Sequence, residues 1–133
     1  MQKKNYDGYQ AFQYLDAGED LPNFELVEQF DRVPSKQVDV TAEQAERVQK
    51  IFDEHLIISL HDHTFVAPKD LSRFLEFRRY GRDHTGYAGL AQSGMDAVFD
   101  AMMDGTAMIP SRAGWKWDDV VFDIGMRLSD IAH

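Results

Sequence analysis

The pattern of apolar and polar positions predicts two short, buried strands in the second half of the chain. Residues 56–60 form a continuous apolar run of strand length, which is typical of a strand covered on both faces, as in a parallel sheet with helices outside. Residues 97–99, Ala-Val-Phe, form a second run of this kind. A brief strand is also predicted at 38–40, where Val, Asp and Val follow one another.

Helical spacing predicts four helices around these strands. They are expected over residues 42–54, from the region after Pro68 to about Tyr80, over 87–93, and over 117–132. Thr41 and Gln44 have the spacing of a capping box, which marks the start of the first helix. Gly94 stands where the third helix needs a left-handed C-cap. In the fourth helix the apolar residues form a clean stripe at helical spacing.

From residue 56 onward the order of elements is β-α-β-α, which places the chain in the α/β class. Residues 1–37 show no sustained period of strand or helix, and we expect an irregular arm with short helical turns whose aromatic rings pack on another surface. Residues 104–116 are predicted to form a loop. The last helix has no stop signal before His133, and we therefore expect that the sequence is cut there.

Composition excludes several classes of protein. The chain has 133 residues, 44 % of them hydrophobic and 28 % charged, which fits one globular domain. A formal net charge of −9 makes nucleic acid an unfavourable partner. Cysteine is absent, so any transition-metal site has to use His, Asp and Glu. The sequence shows no signal peptide or membrane span, and a soluble, cytoplasmic protein is expected.

The strongest candidate for chemistry is the sequence His61-Asp62-His63, which follows the first predicted strand directly. Because side chains alternate along a strand, His61 and His63 are expected on one side with Ser59, and Asp62 on the other. Two imidazoles on one side can supply two nitrogen ligands to Zn²⁺, while a catalytic zinc needs a third protein ligand and a position for water. A pair of ordinary loop histidines is the alternative interpretation.

The other polar and aromatic candidates have simpler interpretations. His84 is expected to be a loop histidine, and His55 to lie at the end of its helix, where an imidazolium complements the dipole. Asp100 and Asp104 flank the end of the second strand and are expected to be solvated loop carboxylates. Trp115 and Trp117 are expected to anchor the last helix. The basic residues between Arg78 and Arg82 are interpreted as a solvated helix end.

Two segments resemble the peptidase M19, or membrane-dipeptidase, family of metal-dependent barrels. The first is Ile57-Ile58-Ser59-Leu60-His61-Asp62-His63. The second, residues 87–99, reads Tyr-Ala-Gly-Leu-Ala-Gln-Ser-Gly-Met-Asp-Ala-Val-Phe. The resemblance runs from about Ile57 to His133. In this family the first strand ends in an H-x-D pair that binds one ion of a two-zinc centre, and this chain has His63 in the place of the Asp.

The resemblance implies that the chain is the N-terminal part of a (β/α)8 TIM barrel, reaching about the second strand, with residues 38–133 as the start of the barrel. It implies metal ligation by His61 and His63, zinc as the cofactor, and hydrolysis of dipeptides or similar small amides by the complete enzyme. A self-contained acidic binding module without catalytic activity is the alternative. Cooperative unfolding as a monomer favours the module, and the sequence leaves open whether homo-oligomers form.

Overall fold

The computed structural model describes residues 6–32, 38–80, 84–101 and 117–131. Within these ranges lie helices α1 Ala42–Glu54, α2 Phe74–Tyr80, α3 Tyr87–Ser93 and α4 Trp117–Ile131, and strands β1 Ile58–Asp62 and β2 Ala97–Asp100. A turn of 3-10 helix, Leu71–Arg73, leads into α2. The predicted mixture of helices with a parallel pair of strands, and the order β-α-β-α from β1 onward, are confirmed for the described residues. The predicted loop 104–116 lies outside the described residues.

The start of α1 shows why the sequence places a helix there. The Thr41 hydroxyl accepts a hydrogen bond from the backbone N–H of Gln44 at 3.3 Å, and the Gln44 side-chain oxygen accepts one from the Thr41 backbone N–H at 2.8 Å. Both bonds satisfy amides that have no partner inside the helix. The predicted capping box is therefore confirmed, and His55 forms the C-cap at the other end, as expected.

The two strands pair in parallel, as predicted, but their register contains a β-bulge. Ser59 lies opposite Val98, and Asp62 lies opposite Asp100. Two residues of β1, Leu60 and His61, therefore face the single residue Phe99 of β2. A bulge of this kind changes the direction of the side chains next to it, and bulges are common beside active sites.

One face of this sheet is bare in the described part of the chain. Leu60 and Phe99 are 78 % and 62 % exposed, whereas Ser59 and Val98 are half-buried. The expectation that both faces of β1 are covered is wrong for these residues. A face of a sheet is buried only where a second layer packs on it. In the described residues that layer includes α4, whose Arg127 pairs with Asp100 on the face opposite Leu60 and Phe99.

The predicted strand at 38–40 does not form, since these residues belong to no helix or strand. Val38 and Val40 are exposed, so the segment has no apolar face against which to pack. Strand propensity reflects packing on a pleated surface more than a preference of the backbone itself. A run of three residues without such a surface therefore stays irregular.

The most buried apolar side chains lie away from the sheet, in the N-terminal arm, in α2 and in the segment between β1 and α2. Phe77 of α2 is buried, and the Phe24 ring of the arm packs against it edge to face with the centroids 5.2 Å apart. Phe12 and Val66 are also buried. The prediction that aromatic residues of an irregular arm pack onto another surface is confirmed.

Helix α4 forms where it was predicted, but its apolar stripe is turned outward. Val121, Ile124 and Leu128 are exposed. The buried residues are polar: Asp123, Arg127 and Asp130. Apolar stripes of helices ordinarily face a core, so this arrangement leaves an apolar surface on α4 that the described residues do not cover.

Two glycines give opposite expectations for substitution by alanine. Gly94 ends α3 with φ +75°, and a Cβ placed there would lie 3.2 Å from ring atoms of Phe52. We expect Gly94→Ala to lower the free energy of unfolding by about 1–2 kcal/mol, because side chains disfavour this left-handed conformation. Gly125 lies within α4 and has open space where a Cβ would be. Gly125→Ala should therefore raise the free energy of unfolding by up to about 1 kcal/mol. Urea denaturation of both variants measures these changes, and equal effects would contradict the interpretation.

Candidate functional site

His61 and His63 lie at the carboxyl end of β1, as the sequence predicts. His61 is in the strand and His63 is the first residue after its end. The predicted alternation, however, is broken by the bulge. His61 is exposed together with Leu60, while Ser59 and Asp62 on either side are half-buried. The exposure of these four residues therefore does not follow the simple alternation that the sequence predicts.

The two imidazole rings are close despite the bulge. Their centroids lie 5.2 Å apart with 80° between the ring planes. An ion held tetrahedrally at about 2.0–2.1 Å from one nitrogen of each ring, with a ring radius of about 1.15 Å, would set the centroids about 5.2 Å apart. The separation of the ring centroids equals that of two zinc ligands, and it also equals that of an ordinary edge-to-face ring contact.

A third ligand is needed for a catalytic zinc site, and the described residues do not supply one. Among them, no group of three or more His, Asp or Glu side chains is placed so that it could hold a metal ion. The donor set found here is the histidine pair alone. Two imidazoles are chemically suited to zinc but leave its coordination incomplete.

Asp100 is part of the same edge of the sheet and is not a solvated loop carboxylate. It ends β2 opposite Asp62, and its Oδ1 accepts a hydrogen bond from the backbone N–H of Thr64 at 3.1 Å. Its Oδ2 lies 3.0 Å from Nε of Arg127, whose side chain is buried. The earlier expectation for Asp100 is therefore wrong, because the carboxylate ties the segment after His63 to α4.

A cavity of about 280 Å³ lies beside His63. Asp62 and His63 both line it, although alternation along a strand predicts opposite directions for them. The strand ends at Asp62, so the alternation no longer applies to the next residue. Residues of α3 and, from the N-terminal arm, Gln29 and Arg32 also line it.

A second polar cluster connects the arm to α4 through Asp130, which is 1 % exposed. Its Oδ1 accepts hydrogen bonds from the Tyr9 hydroxyl at 3.0 Å and from the Phe12 backbone N–H at 2.9 Å. Its Oδ2 accepts one from the Tyr87 hydroxyl at 2.9 Å. Burial, followed by the hydrogen bond to Asp130, raises the pKa of Tyr87. Sequence reasoning missed this cluster, since an aspartate near the end of an amphipathic helix gives no signal of burial.

The remaining candidates have structural roles or lie outside the described residues. His84 is outside the helices and strands, as expected, and its ring packs between Phe12 and Phe77. Trp117 is exposed, so it does not anchor α4 to the described part of the chain. Asp104, Trp115 and Arg82 are outside the described residues.

We compared the chain with models of protein families, with curated proteins and with solved structures, and none of the three comparisons found a match. The relation to membrane dipeptidases therefore stays a prediction from the residues quoted above. Within the described ranges, none of the helices combines the length and the apolar character that crossing a bilayer requires.

Proposed function

We propose that the chain supplies the first two strands of a (β/α)8 zinc hydrolase, in which His61 and His63 bind a metal ion at the carboxyl end of the first strand. The complete enzyme would cleave dipeptides or similar small amides. The observation that carries the proposal is the 5.2 Å separation of the two imidazole rings at the end of a strand that pairs in parallel with the next. Barrel enzymes place their active sites at this end of their strands.

The bare face of the sheet supports the barrel. In a closed barrel, one face of every strand points to the interior and is covered by side chains from the other strands. Leu60 and Phe99 are apolar, as side chains that face a barrel interior commonly are, and both are exposed here. His61 is exposed beside them. The opposite face carries Val98 and Asp100, which line a cavity with residues of α3 and α4, the layer expected outside a barrel.

The chemistry follows from the residues at this edge. A zinc ion in such a site supplies Lewis-acid activation of water and of the amide carbonyl. His61 and His63 would hold it, and the further ligands would come from later strands. Asp100 fixes the backbone of Thr64, directly after His63, and the buried Arg127 holds Asp100 in turn. These contacts restrict the position of the His63 backbone, which favours a preformed ligand geometry.

Zinc titration of the 133-residue chain tests the site. We expect weak binding in a 1:1 ratio, because two imidazoles leave the ion short of three protein ligands. His61→Ala and His63→Ala should each weaken binding by more than about tenfold, since even the loss of a group that only orients a ligand costs about 10–100-fold. Isothermal titration calorimetry gives the affinities, and NMR spectra of the imidazole protons identify the ligands.

His55→Ala is the matched control, because His55 is an exposed histidine at the end of α1. It should leave zinc binding unchanged. Zinc affinity that is equal in the wild-type chain and in the double variant of His61 and His63 would show that the ion binds elsewhere, and the proposal would then fail.

A further inference from the structure

The cavity that Val98 and Asp100 line has a volume of about 560 Å³. Pockets that bind small molecules commonly have about 300–1,000 Å³. Leu90 of α3 and Ile131 of α4 supply further apolar walls. Because the interiors of folded proteins contain few voids larger than a water molecule, a space of this size between a sheet and its helices suits a small molecule with an apolar body.

Two tyrosine rings also line this cavity. Tyr9 of the N-terminal arm and Tyr87 of α3 lie edge to face, with the centroids 5.2 Å apart and 71° between the ring planes. Both hydroxyls donate to the buried carboxylate of Asp130, which fixes the rings in place. The face of a tyrosine ring attracts a cation within about 6 Å of its centroid. Two rings held at a steep angle to each other therefore favour an ammonium group over a neutral one.

The charged side chains around the cavity favour a cation as well. Among the described residues that line it, the charged ones are Asp7, Asp100, Arg127 and Asp130. Arg127 pairs with Asp100 at 3.0 Å, so the two other charged side chains are both acidic. Asp7 is exposed, and its Oδ1 accepts the backbone N–H of Tyr9 at 3.0 Å, which holds this carboxylate next to Tyr9. Its Oδ2 can accept a charge-assisted hydrogen bond from an ammonium group.

We propose that this cavity binds a small organic ammonium compound, with its apolar body against the walls formed by α3, β2 and α4 and its cationic group beside Asp7 and the two tyrosine rings. The site is separate from the histidine pair, because neither His61 nor His63 lines the cavity. The inference therefore depends neither on metal binding nor on hydrolysis. It gives the N-terminal arm a role beyond packing, since the arm supplies Asp7 and Tyr9.

The test compares three probes of similar shape and different charge. 2-Phenylethylamine, 2-phenylethanol and phenylacetate are titrated into the 133-residue chain at neutral pH, and binding is followed by NMR shifts of methyl groups. The amine should bind at least about threefold more tightly than the alcohol, and phenylacetate most weakly, because cation–π contacts and exposed ion pairs each raise affinity by up to about fivefold. The largest shifts should occur at Val98 and Ile131, which line this cavity, and not at Val66, which lines the cavity beside His63.

Asp7→Asn removes the charge at an exposed position and should lower the preference for the amine over the alcohol by about threefold, while the affinity for 2-phenylethanol stays the same. Asp16→Asn is the matched control, because Asp16 is an exposed acid of the same arm that does not line the cavity, and it should change no titration. The inference is overturned if the amine does not bind, if amine and alcohol bind equally, or if Asp7→Asn keeps the full preference. Shifts centred on Val66 would also overturn it, since the amine would then lie beside His63.

Discussion

Replacing Asp130 with alanine is expected to lower the free energy of unfolding by about 3 kcal/mol or more. The carboxylate is buried and accepts three hydrogen bonds, two of which, from Tyr9 and Phe12, come from the arm. Its removal leaves the donors without their acceptor, and each buried unsatisfied group costs about 1–3 kcal/mol. Urea denaturation followed by circular dichroism measures the change.

Asp53→Ala is the control, because Asp53 is an exposed residue of α1 that accepts one local hydrogen bond from Gln49. Its effect should stay within about 0.5 kcal/mol. Asp130→Asn keeps one carbonyl acceptor, so its destabilisation should lie between those of Asp130→Ala and Asp53→Ala. A destabilisation by Asp130→Ala that is no larger than that of Asp53→Ala would show that the arm is held by other contacts.

The same cluster predicts how stability changes with pH. Burial and the hydrogen bond to Asp130 raise the pKa of Tyr87 above its usual value of 10.0, so the folded chain binds this proton more tightly than the unfolded chain. The stability that Tyr87 contributes is therefore fully present below about pH 10 and is lost as the pH rises above it. Asp130→Ala should reduce this alkaline loss.

The elements of the fold could be predicted from local signals. The capping box at Thr41 and Gln44 and the left-handed position of Gly94 act within a few residues, and both were found where the sequence places them. The apolar runs located both strands to within two residues. Local chemistry suffices for such features, because the groups involved are neighbours in the sequence.

Features that depend on distant partners could not be predicted. The bulge opposite Phe99 arises from the pairing of two strands, and it interrupts the alternation of exposed and half-buried residues at Leu60 and His61. Asp100 was expected to be a solvated carboxylate and Asp130 gave no signal at all, yet each is bound by groups that are 27 or more positions away in the sequence. Such contacts leave no periodic signal, so only the folded structure shows them.

The largest expected effect on activity concerns the two histidines. In a protein that contains residues 1–133 followed by the later strands of the proposed barrel, His61→Ala or His63→Ala should lower the rate of dipeptide hydrolysis by at least about a hundredfold. The loss of a group that only orients a metal ligand costs up to about that factor, so the loss of a ligand costs at least as much. His55→Ala should keep full activity, because His55 lies on the exposed end of α1.

The most direct test is therefore zinc-dependent hydrolysis of glycylglycine, measured together with zinc content, in this longer protein and in its double variant His61→Ala, His63→Ala. We expect activity and stoichiometric zinc in the unmutated protein, a loss of both in the double variant, and no hydrolysis by residues 1–133 alone, since two imidazoles do not complete a catalytic zinc site. A double variant that keeps both its zinc and its rate would contradict the account, because the histidines at the end of β1 would then take no part in the chemistry.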